Sequence, residues 1–150
     1  MEKLDIYCFT TKNYKLLDYL PKNIIPVGLG NNDFSKKYLV ETSGQNISKF
    51  NKYFAELTGI YWVYKNKLSH YNDNDYIGFC HYRRLWLDGL YAKNHKINSN
   101  VFSKLLNKKL EIFDNSQVIM LQPTKLKNEN IYDHFKNNHG SKLMDYAISI

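Results

Sequence analysis

Arg83 and Arg84 stand side by side in this chain and are its only arginines; every other basic residue is lysine. A guanidinium is a planar fork of donors that matches phosphate or carboxylate oxygens bidentately, which an ammonium cannot do. The pair closes the run Tyr76-Ile-Gly-Phe-Cys-His-Tyr-Arg-Arg84, an apolar strand pattern that ends in four polar or aromatic residues. Open α/β sheets bind their ligands just past the carboxyl ends of strands. Two readings of the pair stay open. It is either an anionic small-molecule site, for phosphate above all, or a buried arginine–carboxylate strut.

The same run sets an imidazole and a phenol beside the guanidiniums. Strand alternation carried past Cys80 would aim His81 and Arg83 to one side and Tyr82 and Arg84 to the other. His81 is then a candidate base or a hydrogen-bonded loop histidine. Glu56 edges the apolar face of a helix near its start, where a carboxylate can offset the dipole, pair with an arginine or act as a base. Thr42-Ser-Gly-Gln-Asn-Ile-Ser48 is a polar loop, with Asn46 inside it, that leads to a helix N-terminus and could cradle an anion. Tyr61, Trp62 and Tyr64 could stack on a base or sugar, although aromatics at helical spacing more often build core. Asp73-Asn74-Asp75 has a metal-binding Asp-x-Asp form, but it precedes its strand and reads as a turn. No Walker-type loop, Gly-x-Gly-x-x-Gly, zinc spacing or Gly-x-Ser-x-Gly elbow is present.

These groups need a frame, and 150 residues suffice for a single domain with a sizeable core. Leu4–Thr10 is β-branched and aromatic and predicts a first strand; Ile24–Val27 predicts a second, followed by the loop Gly28–Asp33. Lys15–Leu20 reads as a short helix stopped by Pro21. Phe54, Leu57, Ile60, Tyr61, Tyr64 and Leu68 recur at three- and four-residue intervals, which predicts a helix over Lys52–Leu68 with that stripe on the core and Asn51 as N-cap. Asn72–Asp75 is a turn signal before the strand Tyr76–Cys80. Ser99 caps a helix over Val101–Leu106, Gln117–Leu121 predicts a third strand beside the central Tyr76–Cys80, and Ile131–Asn138 and Ser141–Ile150 read as helices. Alternating strands and helices imply an α/β fold with a mostly parallel sheet covered on both faces.

Charge and cysteines narrow the class. The net charge of +7 is spread over scattered lysines, and no nucleic-acid-binding motif accompanies it, so no nucleic-acid partner is expected. Cys8 and Cys80 each lie in a strand-like run and read as small core residues in a reducing compartment, with a bridge between neighbouring strands as the alternative. No signal-peptide or membrane-spanning pattern appears. The expected location is the cytoplasm, with peripheral attachment to the inner face of the membrane left open.

In order and spacing, Pro26-Val-Gly-Leu-Gly-Asn-Asn32, Thr42–Ser48, Asn51–Trp62 with Lys65-Asn66, and Tyr76–Arg84 resemble the DUF4422 family. Members occur in bacterial capsular and exopolysaccharide clusters and include galactofuranosyltransferase-type enzymes. The resemblance covers about positions 4 to 140, including Val118–Pro123, and implies one GT-A-like glycosyltransferase domain over 1–150. It also implies a nucleotide-sugar donor, expected to be a UDP-sugar, and a glycan or lipid-linked glycan acceptor. The expected catalytic residues are Glu56 and His81. Expected donor-binding residues are Arg83, Arg84, Tyr82, Asn46, Asn51, Trp62 and Gln122. An arginine after the strand could neutralise the leaving diphosphate where other enzymes place a metal; a divalent metal is therefore not expected, and no other cofactor is.

Members of that family look longer than this chain, whose last apolar pattern stops without a cap. The expectation is a C-terminally truncated transferase with an exposed apolar face around Leu143, Met144, Tyr146 and Ile148, open to self-association or a partner chain. The alternative is a non-catalytic sugar-nucleotide-binding or accessory fragment completed by a partner.

Overall fold

A computed structural model describes residues 2–88, 99–121, 126 and 128–140. The chain packs as two units, residues 1–111 and 112–150. The first is built on a four-stranded, wholly parallel sheet of order β3-β2-β1-β4, with β1 Leu4–Thr10, β2 Ile24–Gly28, β3 Leu39–Val40 and β4 Tyr76–His81. A 3₁₀ turn at Lys15–Tyr19 follows β1, as the sequence predicts, and the Asn72–Asp75 turn precedes β4. In that turn the Asp75 carboxylate accepts from the Asn72 and Lys3 amides, which tie it to the start of β1.

β1 is buried from end to end. It is therefore the central strand, and β4, expected there, lies at an edge of the sheet among the described residues. The expected neighbour Gln117–Leu121 forms no strand, and Val118, Met120 and Leu121 are exposed. A short apolar run specifies what can be buried, not which strand will pair with it. β1 and β4 do run parallel as expected, and their register sets Cys8 directly against Cys80. Both thiols are free, and the hydrogen bond with Cys8, together with burial, pushes the Cys80 thiol up.

The predicted long helix exists in two pieces, α1 Asn51–Phe54 and α2 Glu56–Asn66, which meet at Ala55. Ala55 has φ 45° and ψ −127°, a strained backbone for a residue with a Cβ. Its carbonyl accepts from Asn51 Nδ2 (3.0 Å) and Thr58 Oγ1 (2.9 Å), and Asn51 also donates to Thr58 Oγ1. Asn51 is thus the clasp of this break and not an N-cap. Ile60 of the predicted apolar stripe packs against the core, but most of the stripe does not. Thr58, Gly59, Trp62 and Val63 face the sheet, whereas Phe54, Leu57, Tyr64 and Leu68 are exposed.

α2 packs on Tyr7, Phe9, Val27 and Leu29 through Trp62 and Val63. Gly59 makes the approach close: a Cβ there would lie 2.6 Å from Phe9 Cε1 and 2.8 Å from Leu29 Cδ2. Gly59→Ala should therefore overpack this contact and destabilise the protein by about 1–3 kcal/mol despite alanine's better helix propensity. Urea denaturation measures it. Below α2, Tyr71 donates to Asp5 Oδ2 (2.6 Å) and shares a 2.7 Å hydrogen bond with Tyr7, while Lys3 pairs with Asp5. That network satisfies the buried Asp5 carboxylate and pins the chain leaving α2 to β1.

α3 covers Ser99–Phe102, shorter than predicted, and Trp86–Asp88 pairs with Lys104–Leu106 through backbone hydrogen bonds. In the second unit α4 spans Ile131–His139, and Asn130 caps it by accepting from the Asp133 amide. The predicted helix over 141–150, with the apolar residues Leu143, Met144, Tyr146 and Ile148, lies outside the described residues. Among the described residues no helix is long and apolar enough to cross a membrane.

Candidate active site

In the order β3-β2-β1-β4 the chain moves outward from β1 on one side and returns to its other side for β4. The carboxyl ends of β1 and β4 therefore flank a topological switch point, the place where doubly wound sheets open a ligand crevice. The loops that leave β1, β2 and β4 meet there. Asn32 Nδ2 donates to the Thr11 carbonyl, and the Tyr14 and Tyr82 rings stack at 4.6 Å with their hydroxyls 3.2 Å apart.

His81 ends β4 opposite Phe9, so its side chain lies on the face that α2 covers. There its Nε2 is 3.5 Å from Glu56 Oε1 in the first turn of α2. The Arg83 amide donates to His81 Nδ1 (3.2 Å). With Nδ1 accepting, the neutral ring carries its proton on Nε2, toward the carboxylate. Burial holds the imidazole below its ordinary value of 6.5; Arg83 and Arg84 act in the same direction, and Glu56 opposes them. At neutral pH His81 is uncharged, with its Nε2 beside the Glu56 carboxylate. The Glu56 carboxylate is 46% exposed.

As a consequence, the His81 ring should titrate below 6.5 in an NMR pH series. Glu56→Gln should move the midpoint further down, and Arg84→Gln should move it up. The stability sign follows from the same direction. As pH falls through 6.5 the unfolded chain takes up the proton first, so this group's contribution is intact above that pH and lost as pH falls through the lower folded value.

Strand alternation does not continue past His81. The Arg84 amide donates to the His81 carbonyl at 2.8 Å, closing a tight turn through Tyr82 and Arg83. The Arg83 guanidinium lies 5.4 Å over the Tyr82 ring, and both arginines are exposed. Neither has a carboxylate partner among the described residues, and with their exposure this argues against the buried strut. Beyond the turn, the Trp86 indole donates to the Phe79 carbonyl and protects that part of the β4 edge.

Glu56, His81, Tyr82, Arg83 and Arg84 are thus brought together. The other expected residues are not. Trp62 is 3% exposed and its indole N–H donates to the Ser43 carbonyl at 2.7 Å, so no ligand can stack on it. Asn46 donates to the Thr42 and Gly44 carbonyls and accepts from Ser48, bracing its own loop. Asn51 acts at the Ala55 break beside Glu56, and its Oδ1 lies 3.8 Å from where Gly30 would carry a Cβ. Gln122 lies outside the described residues.

Three contributors are invisible to motif reading. Tyr14 meets Tyr82 across 68 residues of sequence. Glu41, fully buried, accepts from the Gly30 amide at 2.7 Å and fixes the loop after β2. Ala55 aims Glu56 through a strained backbone that nothing in an alanine announces. Among the described residues no three His, Cys, Asp or Glu side chains cluster as a metal-ligand set.

Comparison with known proteins adds two findings. The sequence profile of DUF4422, a domain of unknown function, matches residues 5–150. The fold is similar to the apo structure of the WbbM bifunctional glycosyltransferase, with a TM-score of 0.52 and 25% identity over 68% of this chain. The match spans 20% of the WbbM chain. No curated protein matches the sequence.

Proposed function

The chain belongs to the DUF4422 family, and on that premise we propose that it is a glycosyltransferase that moves a sugar from a nucleotide-sugar donor to a glycan acceptor. The observation that carries this reading is the switch point between β1 and β4, where the Glu56 carboxylate lies beside His81 and the exposed Arg83 and Arg84 follow in the next turn, without a carboxylate partner among the described residues. Arg83 and Arg84 bind the donor diphosphate and offset the charge that develops on it as the glycosidic bond to the sugar breaks. Tyr82, backed by Tyr14, offers an aromatic surface to the base or sugar. Glu56, with His81 Nε2 3.5 Å away, takes the proton from the acceptor hydroxyl as that oxygen attacks the anomeric carbon. The fold shared with a bifunctional glycosyltransferase supports the reaction class. A UDP-sugar donor, a capsule, exopolysaccharide or O-antigen acceptor and a cytoplasmic site of action belong to the same proposal.

Arg83→Lys tests it. The substitution keeps the charge and removes the fork, so affinity for UDP should fall by about 1.5–3 kcal/mol in calorimetry, with folding unchanged because the side chain is exposed. If Arg83→Lys and Arg84→Lys both bind UDP as the parent does, the crevice is not a diphosphate site.

A second reading is favoured by the 20% share of the WbbM chain that is matched. In it these residues bind a sugar nucleotide and a further portion supplies acceptor contacts. UDP binding without donor hydrolysis or transfer by the 150-residue chain would select that reading.

A further inference from the structure

We propose that the segment from Lys49 to Leu68 is an interfacial surface that docks this protein on an anionic lipid bilayer. α2 buries one face against the sheet through Gly59, Trp62 and Val63, yet its opposite face is also apolar. Leu57, Tyr61 and Tyr64 recur at helical spacing there, and Leu68 continues the line in the 3₁₀ turn that follows. Leu57 is 60% and Tyr64 56% exposed; Phe50, Tyr53 and Phe54 extend the exposed surface through α1.

Charge identifies the occupant. The segment holds Lys49, Lys52, Lys65 and Lys67 against a single acid, Glu56, which His81 already engages. The ammonium groups lie beside the exposed rings: Lys52 4.7 Å from the Tyr53 centroid, Lys65 4.8 Å from Tyr64 and Lys49 5.0 Å from Phe50. Long cationic side chains that rim apolar and tyrosine side chains are the pattern of a helix lying in a headgroup layer, with apolar groups in the acyl boundary and ammoniums at the phosphates. A protein partner would cover the same apolar area. The lysine rim and the chain's net charge of +7 favour a negatively charged bilayer over a second copy of this equally basic chain.

The test is co-sedimentation of the 150-residue chain with vesicles of phosphatidylcholine alone or with about one-third phosphatidylglycerol, at low and high salt. The expected result is binding to the anionic vesicles only, released as salt shortens the range of the attraction. Each lysine at the surface contributes about fivefold to partitioning, so Lys52→Gln with Lys65→Gln should weaken it about 25-fold. Leu57→Gln with Tyr64→Gln should weaken it as well, with an unchanged melting temperature, since both side chains point to solvent. Equal binding to neutral vesicles, no binding to either, or binding that survives both double variants would overturn the proposal. So would a dimer in ultracentrifugation that Leu57→Gln with Tyr64→Gln dissolves. None of these outcomes alters affinity for UDP, so this surface and the transferase reading stand or fall separately.

Discussion

Glu56→Gln should lower the sugar-transfer rate by a factor of about 100 to 10,000, the range lost when a positioned general base is removed. Affinity for UDP should stay within about twofold, because the proposed mechanism gives the acceptor to Glu56 and the diphosphate to Arg83 and Arg84. The substitution preserves size, so packing at the start of α2 is retained. On the same proposal His81→Gln should act more weakly, because the ring lies beside the carboxylate and does not itself receive the acceptor proton. It should also flatten whatever part of the pH–rate profile follows the imidazole. A Glu56→Gln protein that transfers sugar at the parent rate would move the base elsewhere. One that also loses UDP binding would place Glu56 in the donor site.

Trp62→Ala should destabilise the fold by about 3–5 kcal/mol, the range for removing a large buried aromatic. The indole lies between α2 and the sheet among Tyr7, Phe9, Val27, Leu29 and Val63. Its N–H also satisfies the Ser43 carbonyl at the head of the loop that Asn46 and Asn66 hold closed. Loss of the ring leaves a cavity and an unpartnered carbonyl together. With a stability typical of a small domain, of order 5–15 kcal/mol, the variant would be unfolded in a substantial fraction or have a sharply lowered urea midpoint. A change under 1 kcal/mol would show that α2 is not anchored here.

These two residues mark where sequence reasoning ended. Both were legible as chemically interesting, and spacing could not say which would be core. Around Trp62 the helix is apolar on more than one face. Periodicity finds an apolar face but cannot choose between two, and the stripe with more hydrophobic residues is the one turned to solvent. The side facing the sheet was chosen by fit: Gly59 admits Phe9 and Leu29, and the bulkier line through Leu57, Tyr61 and Tyr64 offers no such gap.

Local patterns alone determined β1, β2 and β4, the turn before β4 and α4, because each is bounded by its own turn residues or cap and needs no distant partner to be recognised. They also determined that the scarce arginines sit just past a strand, and the profile match over residues 5–150 bears out the family resemblance. Tertiary structure decided strand order. The pairing of β1 with both β2 and β4 puts β1 at the centre and creates the switch point, and no single segment encodes that arrangement. It also decided that Glu56 and His81, 25 residues apart, face one another. Their meeting requires the register of β1 on β4, the packing of α2 on that face and the strained turn at Ala55. Each is a long-range or cooperative choice, and a linear pattern of residue types cannot express it.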